Sequence, residues 1–166
     1  MQIEQPELYP ICELGKGKLF MMPKPRNESL EADITFYKEN GVTKVVSLLC
    51  APEIEVLEMA AEPDVCDNFD IAFENFQIKD LETPSLADLQ TLNQRLKQEM
   101  EQGHSLAVHC HGGRGRSSIV AITLMVEFGL DVETARDMAS EARGCAVPVN
   151  DLQLDFVRAY KPTTEN

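Results

Sequence analysis

One segment constrains this chain more than any other. Ser105–Ser118, SLAVHCHGGRGRSS, runs from a short apolar strand through a glycine-rich turn into Ser117–Phe128, a stretch that is apolar nearly all round. A helix with that pattern is buried, so the strand that feeds it lies deep in the domain. In an open α/β sheet, ligands bind beyond the carboxyl ends of the strands. His109–Arg116 fall at that place.

The remaining pattern supplies the rest of a sheet. Ile11–Leu14 and Lys18–Met22 flank Gly15-Lys16-Gly17 as a small hairpin. Leu30, Ile34 and Tyr37 have helical spacing, and Gly41 stops that helix. Lys44–Cys50, KVVSLLC, is an apolar run expected to be a buried strand, and Glu53–Ala61 is expected to be helical. Ile71–Ile78 alternates as a half-buried strand does. Leu86, Leu89, Leu92, Leu96 and Met100 mark one face of a long helix, with Thr83 or Ser85 as its cap and Gly103 past its end. Val132–Ala142 and Asn150–Tyr160 are the last helices. Strands alternating with helices predict one α/β domain over 1–166, with a central, largely parallel sheet flanked by helices. The tail 162–166 is expected to be disordered.

Bulk composition narrows the function. The 166 residues carry a net charge of -13, which repels nucleic acid and anionic membrane alike. No apolar run is long enough to span a bilayer, and MQIEQPELYP does not have the form of a signal peptide. The five cysteines, Cys12, Cys50, Cys66, Cys110 and Cys145, are odd in number and form no C-x-x-C pair. That argues against a disulfide framework or a zinc site and for a reducing cytoplasm. No cofactor or metal is expected. His109 and His111 flank Cys110, but neighbouring strand residues point to opposite faces.

The cysteine loop has the chemistry of an anion site. Cys110 to Arg116 is enough chain to wrap one phosphate. Gly112, Gly113 and Gly115 permit the angles that turn successive N–H groups inward, and a helix start at Ser117 adds its positive end. Arg116 can grip two phosphate oxygens with a planar fork. The same field favours a thiolate at Cys110, placed for in-line attack on phosphorus. Bare Cys-x5-Arg is a weak pattern. The full strand–His–Cys–x–x–Gly–x–x–Arg–Ser–helix run is much more specific. A nucleotide-binding loop fits less well, because no Lys-Ser or Lys-Thr pair closes it.

HCHGGRGRS resembles the H-C-x5-R-S/T signature of protein tyrosine and dual-specificity phosphatases. GVTKVVSLLC resembles the strand these enzymes carry after an early helix, and IAFENFQIKDLETPS resembles their general-acid loop. The likeness is to the compact type, near the cyclin-dependent-kinase-associated phosphatases and their bacterial relatives. Ser118 departs mildly from it, standing where the family often has Gly. The resemblance implies hydrolysis of a phosphomonoester through a phosphocysteine on Cys110. The substrate would be a phosphorylated protein or a small phosphorylated molecule. His111, Gly112, Gly113, Arg114, Gly115 and Arg116 would bind the phosphate. Asp80 is the expected general acid, with Asp88 as rival. Ser117 is expected either to stabilise the departing thiolate or simply to cap its helix, and His109 to orient the backbone around Cys110. Gln153 fits a helix-capping arrangement better than a water-positioning one. His111 and Arg114 also leave open a phosphoinositide substrate, since tensin-type enzymes have lysines at the matching places. Cys50, at the end of KVVSLLC, is a possible redox-resolving partner of Cys110, or else an inert apolar residue.

Overall fold

The computed structural model describes residues 4–163. Five strands, β1 (Tyr9–Leu14), β2 (Gly17–Met22), β3 (Lys44–Ser47), β4 (Ala72–Asn75) and β5 (Leu106–His109), form one sheet in the order β1-β2-β5-β3-β4. Only the β1–β2 hairpin is antiparallel; β2–β5, β5–β3 and β3–β4 are parallel. The expected largely parallel α/β sheet is therefore present, with the strand that carries the cysteine loop at its centre. A parallel neighbour on each side buries β5 completely, as its unbroken apolar run requires.

Helices cover both faces. On one side α4 (Leu86–Glu101), α5 (Arg116–Glu127), α6 (Val132–Arg143) and α7 (Asp151–Ala159) pack over Val46, Leu106, Val108 and Cys110. On the other, α1 (Leu30–Glu39), α2 (Ala51–Val56) and α3 (Glu62–Asn68) cover Val45 and Ala107. Helix α5 is apolar all round because it lies between the sheet and three other helices; every residue from Arg116 to Met125 is buried.

Several boundaries differ from the sequence reading. Strand β3 ends at Ser47, not Cys50: backbone bonds continue as far as Leu48, through Leu48 N–H to His109 O and Ile78 N–H to Leu48 O, while the Leu49 carbonyl is met by the Asn75 side chain and Cys50 already caps α2. The expected strand 71–78 shortens to Ala72–Asn75. The helix expected over 53–61 shortens and shifts to Ala51–Val56, and a second helix, α3 over Glu62–Asn68, was not expected. Pro52 stands in the first turn of α2, Glu58 adopts φ 57°, and Pro63 stands in the first turn of α3. Helix α5 starts at Arg116, one residue early. In the expected disordered tail, Thr163 is held by Glu127, which accepts from its N–H and its hydroxyl; residues 164–166 lie outside the described part. Among the described residues no helix is long and apolar enough to cross a membrane.

Candidate active site

Beyond the carboxyl end of β5 lies a pocket of about 270 Å³, lined by Asp80, Cys110, His111, Gly112, Arg114, Gly115, Arg116, Val149 and Gln153. The loop that forms its floor is fixed from outside. His111 accepts at its carbonyl from Lys24 N–H at 3.0 Å. Arg143, at the end of α6, donates to Gly113 O at 2.7 Å and Gly112 O at 3.3 Å while stacking on the Tyr9 ring. Ser118 Oγ donates to Gly115 O at 2.6 Å. With these carbonyls held from outside, the loop N–H groups are left for an anion.

The three loop glycines are not equivalent. Gly113 has φ +74° and packs so closely on β2 that an added Cβ would lie 2.4 Å from Met22 O. Gly115 would crowd Val149 and Gln153 at 3.1 Å, whereas Gly112 has neither a positive φ nor a neighbour within 4 Å. The turn requires glycine at Gly113, permits little else at Gly115, and does not need it at Gly112. That corrects the equal weight the three carry in the sequence.

Cys110 is 3% exposed, and its Sγ lies 3.6 Å from Ser117 Oγ. Arg116 is 1% exposed. Its two terminal nitrogens donate to the carboxylate of Glu53, at 2.7 and 2.9 Å, and Nη1 also donates to Ile78 O at 2.9 Å. Asp80 Oδ1 stands 3.4 Å from Nη2. Burial works against the Arg116 charge; Glu53, Cys110 and Asp80 together outweigh it, and the arginine is raised above its ordinary value. The Arg116 hydrogen bonds in turn hold the Glu53 carboxyl below the usual carboxylate range. Arg116 Nε is buried and has no hydrogen-bond partner.

Asp80 reaches the pocket from the loop after β4. Asp88, the rival acid, lies in the first turn of α4, where its N–H is capped by Ser85, and it does not line the pocket. Leu81, beside Asp80, is left-handed at φ 67°. Two bonds from the start of α7 hold this loop: Asn150 Nδ2 to Leu81 O at 3.1 Å, and Gln153 Nε2 to Glu82 O at 3.3 Å. Asn150 Oδ1 caps α7 through Gln153 N–H at 2.8 Å. The capping arrangement is therefore present, and the Gln153 side chain lines the pocket as well.

Cys50 is not where its assignment to a strand end put it. Strands β3 and β5 are neighbours, but Ser47 pairs with His109 and Leu48 N–H continues to His109 O, so Leu48 lies level with Cys110. Cys50 sits two residues further on as the cap of α2. Burial, then the Glu53 charge, push its thiol up. Among the described residues no three His, Cys, Asp or Glu side chains gather as a metal-binding group.

The sequence reading missed Glu53 and Arg143. Glu53 had a signal: Pro52 followed by Glu at the third helical position marks a helix start, here beside the loop. Arg143 had none, because its contact depends on how α6 packs.

Comparison with known proteins agrees with this geometry. Residues 12–159 match the family model described as Swiss Army Knife protein, DSP-PTPase phosphatase domain. The chain is 29% identical over 150 residues to the PRL-1 phosphatase of Drosophila melanogaster, covering 89% of this chain and 80% of that one. Its fold matches kinase associated phosphatase with the catalytic cysteine changed to serine, at TM-score 0.80 and 17% identity over 94% of each chain. It also matches PTPMT1 in complex with PI(5)P, at TM-score 0.70 and 17% identity over 86% of this chain and 88% of that one. A family match over nearly the whole chain, on a fold that gathers the cysteine, the arginine and the loop around one pocket, makes this chain a member of the compact cysteine-dependent dual-specificity protein tyrosine phosphatases.

Proposed function

We propose that the chain hydrolyses phosphorylated protein side chains through a phosphocysteine on Cys110. The observation that carries this reading is Arg116: a buried guanidinium whose outer edge is paired with Glu53 and whose Nε–H has no partner, in the loop that begins at Cys110. A buried donor without an acceptor costs roughly 1–3 kcal/mol, and a phosphate oxygen in the loop would satisfy it.

The steps follow from the placement. The Cys110 thiolate attacks phosphorus in line, the bond from phosphorus to the leaving oxygen breaks, and Asp80 gives that oxygen its proton. Water then attacks the phosphocysteine, Asp80 takes a proton from it, and Cys110 leaves as a thiolate that Ser117 Oγ, 3.6 Å away, can hydrogen-bond. His111, Gly112, Arg114 and Gly115 line the pocket as phosphate-binding groups. Gln153, also in the lining, is suited to orient the water.

A second reading has one specific observation in its favour. PTPMT1, similar in fold, is seen with a phosphoinositide, and here His111 and Arg114 are exposed at the pocket, where further phosphates would meet them. The net charge of -13 favours the protein substrate over a lipid headgroup in an anionic surface. The test is a panel of phosphotyrosine and phosphoserine/threonine peptides against phosphoinositides and inositol phosphates, assayed with chelator and no added metal. Preference for the peptides is expected. Preference for the inositol compounds selects the second reading, and no turnover of either class refutes both.

A further inference from the structure

Behind the cysteine loop, on the face of the sheet away from the pocket, two buried side chains remain unexplained by the steps above. His109 is 0% and Glu62 2% exposed, and His109 Nε2 lies 2.6 Å from Glu62 Oε2. The alternation of β5 explains their place. Leu106, Val108 and Cys110 belong to the core under α4 and α5, while Ala107, two residues before His109, belongs to the core under α1 and α3. Glu62 opens α3 on that second side. Neither residue lines the pocket.

The pair does reach Cys110 through the backbone. His109 Nδ1 is 3.0 Å from the Cys110 carbonyl oxygen. A carbonyl only accepts, so Nδ1 carries a proton. Nε2 faces a carboxylate at the short distance of a charge-assisted bond. A carboxylate behind an imidazole fixes the ring's orientation and tautomer, and a ring protonated on both nitrogens is a stronger donor to the Cys110 carbonyl. Stability alone is a weak reason for such a pair, since burying two charges costs about as much as their attraction returns.

We propose that Glu62 is a positioning residue for Cys110: it holds His109 as a donor on both ring nitrogens and, through the Cys110 carbonyl, promotes formation of the Cys110 thiolate. The inference rests on the reading of Cys110 as nucleophile. The other groups near Glu62 are Tyr37 on α1 and Cys66 on α3. Burial raises both, Cys66 to about 12, so they stay neutral across the working range. Beyond Tyr37, Arg26 and Asp33 are paired at 2.7 Å. On the pocket side the charged and titratable groups around Cys110 are Arg114, Arg116, Asp80, Glu53 and His111. The pair is thus the charged element that touches the Cys110 backbone from behind.

The test is alkylation of Cys110 by iodoacetamide across pH, read by mass spectrometry in the wild type, Glu62→Gln, His109→Asn and the double variant. At about pH 6, Glu62→Gln should slow Cys110 about tenfold, the weight of one charge-assisted hydrogen bond. The curve should move to higher pH and keep its plateau. The double variant should be no slower than His109→Asn, because Glu62 acts through His109. A Glu62→Gln curve that superimposes on the wild type, or multiplicative losses in the double variant, overturns the inference. If Glu62→Gln does not fold, the imidazole ¹⁵N spectrum of the wild type decides. Two protonated ring nitrogens on His109 at neutral pH are expected, and a single one overturns the inference. Both readouts need no turnover, so an inactive wild type would refute the proposed function separately.

Discussion

The two loops that meet over the pocket are built in opposite ways. The cysteine loop is locked: His109, Lys24, Arg143 and Ser118 hold carbonyls of four consecutive positions and of Gly115, and Cys110 and Arg116 are almost fully buried. The Asp80 loop is open. The Asp80 side chain is 65% exposed, Leu81 is exposed and left-handed, and two bonds from α7 hold the turn. The loop that must bind a fixed tetrahedral charge is preorganised. The loop that must deliver a proton to leaving groups of different shapes is tethered more lightly, at the cost of one strained residue.

That contrast predicts different penalties. The largest belongs to the locked loop: Arg116→Lys should lower kcat at least about a hundredfold, because one ammonium cannot both pair with Glu53 and fork onto phosphate. Steady-state kinetics on an aryl phosphate check it, and unchanged binding and rate would remove Arg116 from the site. The open loop should show a penalty that depends on the substrate. Asp80→Asn should cost about a hundredfold with alkyl phosphates and far less with p-nitrophenyl phosphate, and the basic limb of the pH profile should disappear. An unchanged profile would point to Glu82 or Asp88.

A smaller effect sharpens the comparison. Asn150→Ala removes the bond to Leu81 and the cap of α7. It should cost about 1 kcal/mol of stability and make the rate more sensitive to leaving-group acidity, as Asp80→Asn does but more weakly. Thermal melts and a series of substituted phenyl phosphates separate the two effects. The smallest concerns Cys50. We propose it as a slow redox partner of Cys110, since it caps the helix whose Glu53 holds Arg116, although its raised thiol leaves little of the reactive thiolate. After mild peroxide, reductant should restore the wild type more fully than Cys50→Ser, through a Cys50–Cys110 disulfide found by mass spectrometry. Equal rescue with no such linkage refutes the role.

The same contrast explains what was legible in the sequence. The cysteine loop is local: strand, glycine turn, arginine and buried helix are contiguous, and Gly113 at +74° is a backbone requirement that only its residue type satisfies cheaply. The hairpin, the five strands and the long helices follow from periodicity for the same reason. The supports of the site are not local. Glu53, Glu62 and Arg143 reach it from α2, α3 and α6, so their roles depend on how the layers pack. Strand β3 was read too long because Leu48–Cys50 is as apolar as the strand before it, yet Cys50 already caps α2 and the Asn75 side chain meets the Leu49 carbonyl.

The central claim is that phosphate passes through Cys110. Rapid acid quench with an aryl phosphate, followed by peptide mass spectrometry, tests it most directly. The account predicts a burst of phenol matching the enzyme and phosphate on the Cys110 peptide, with neither seen in Cys110→Ser, which should still bind vanadate. Phosphate on another residue, or turnover by Cys110→Ser near the wild-type rate, would contradict it.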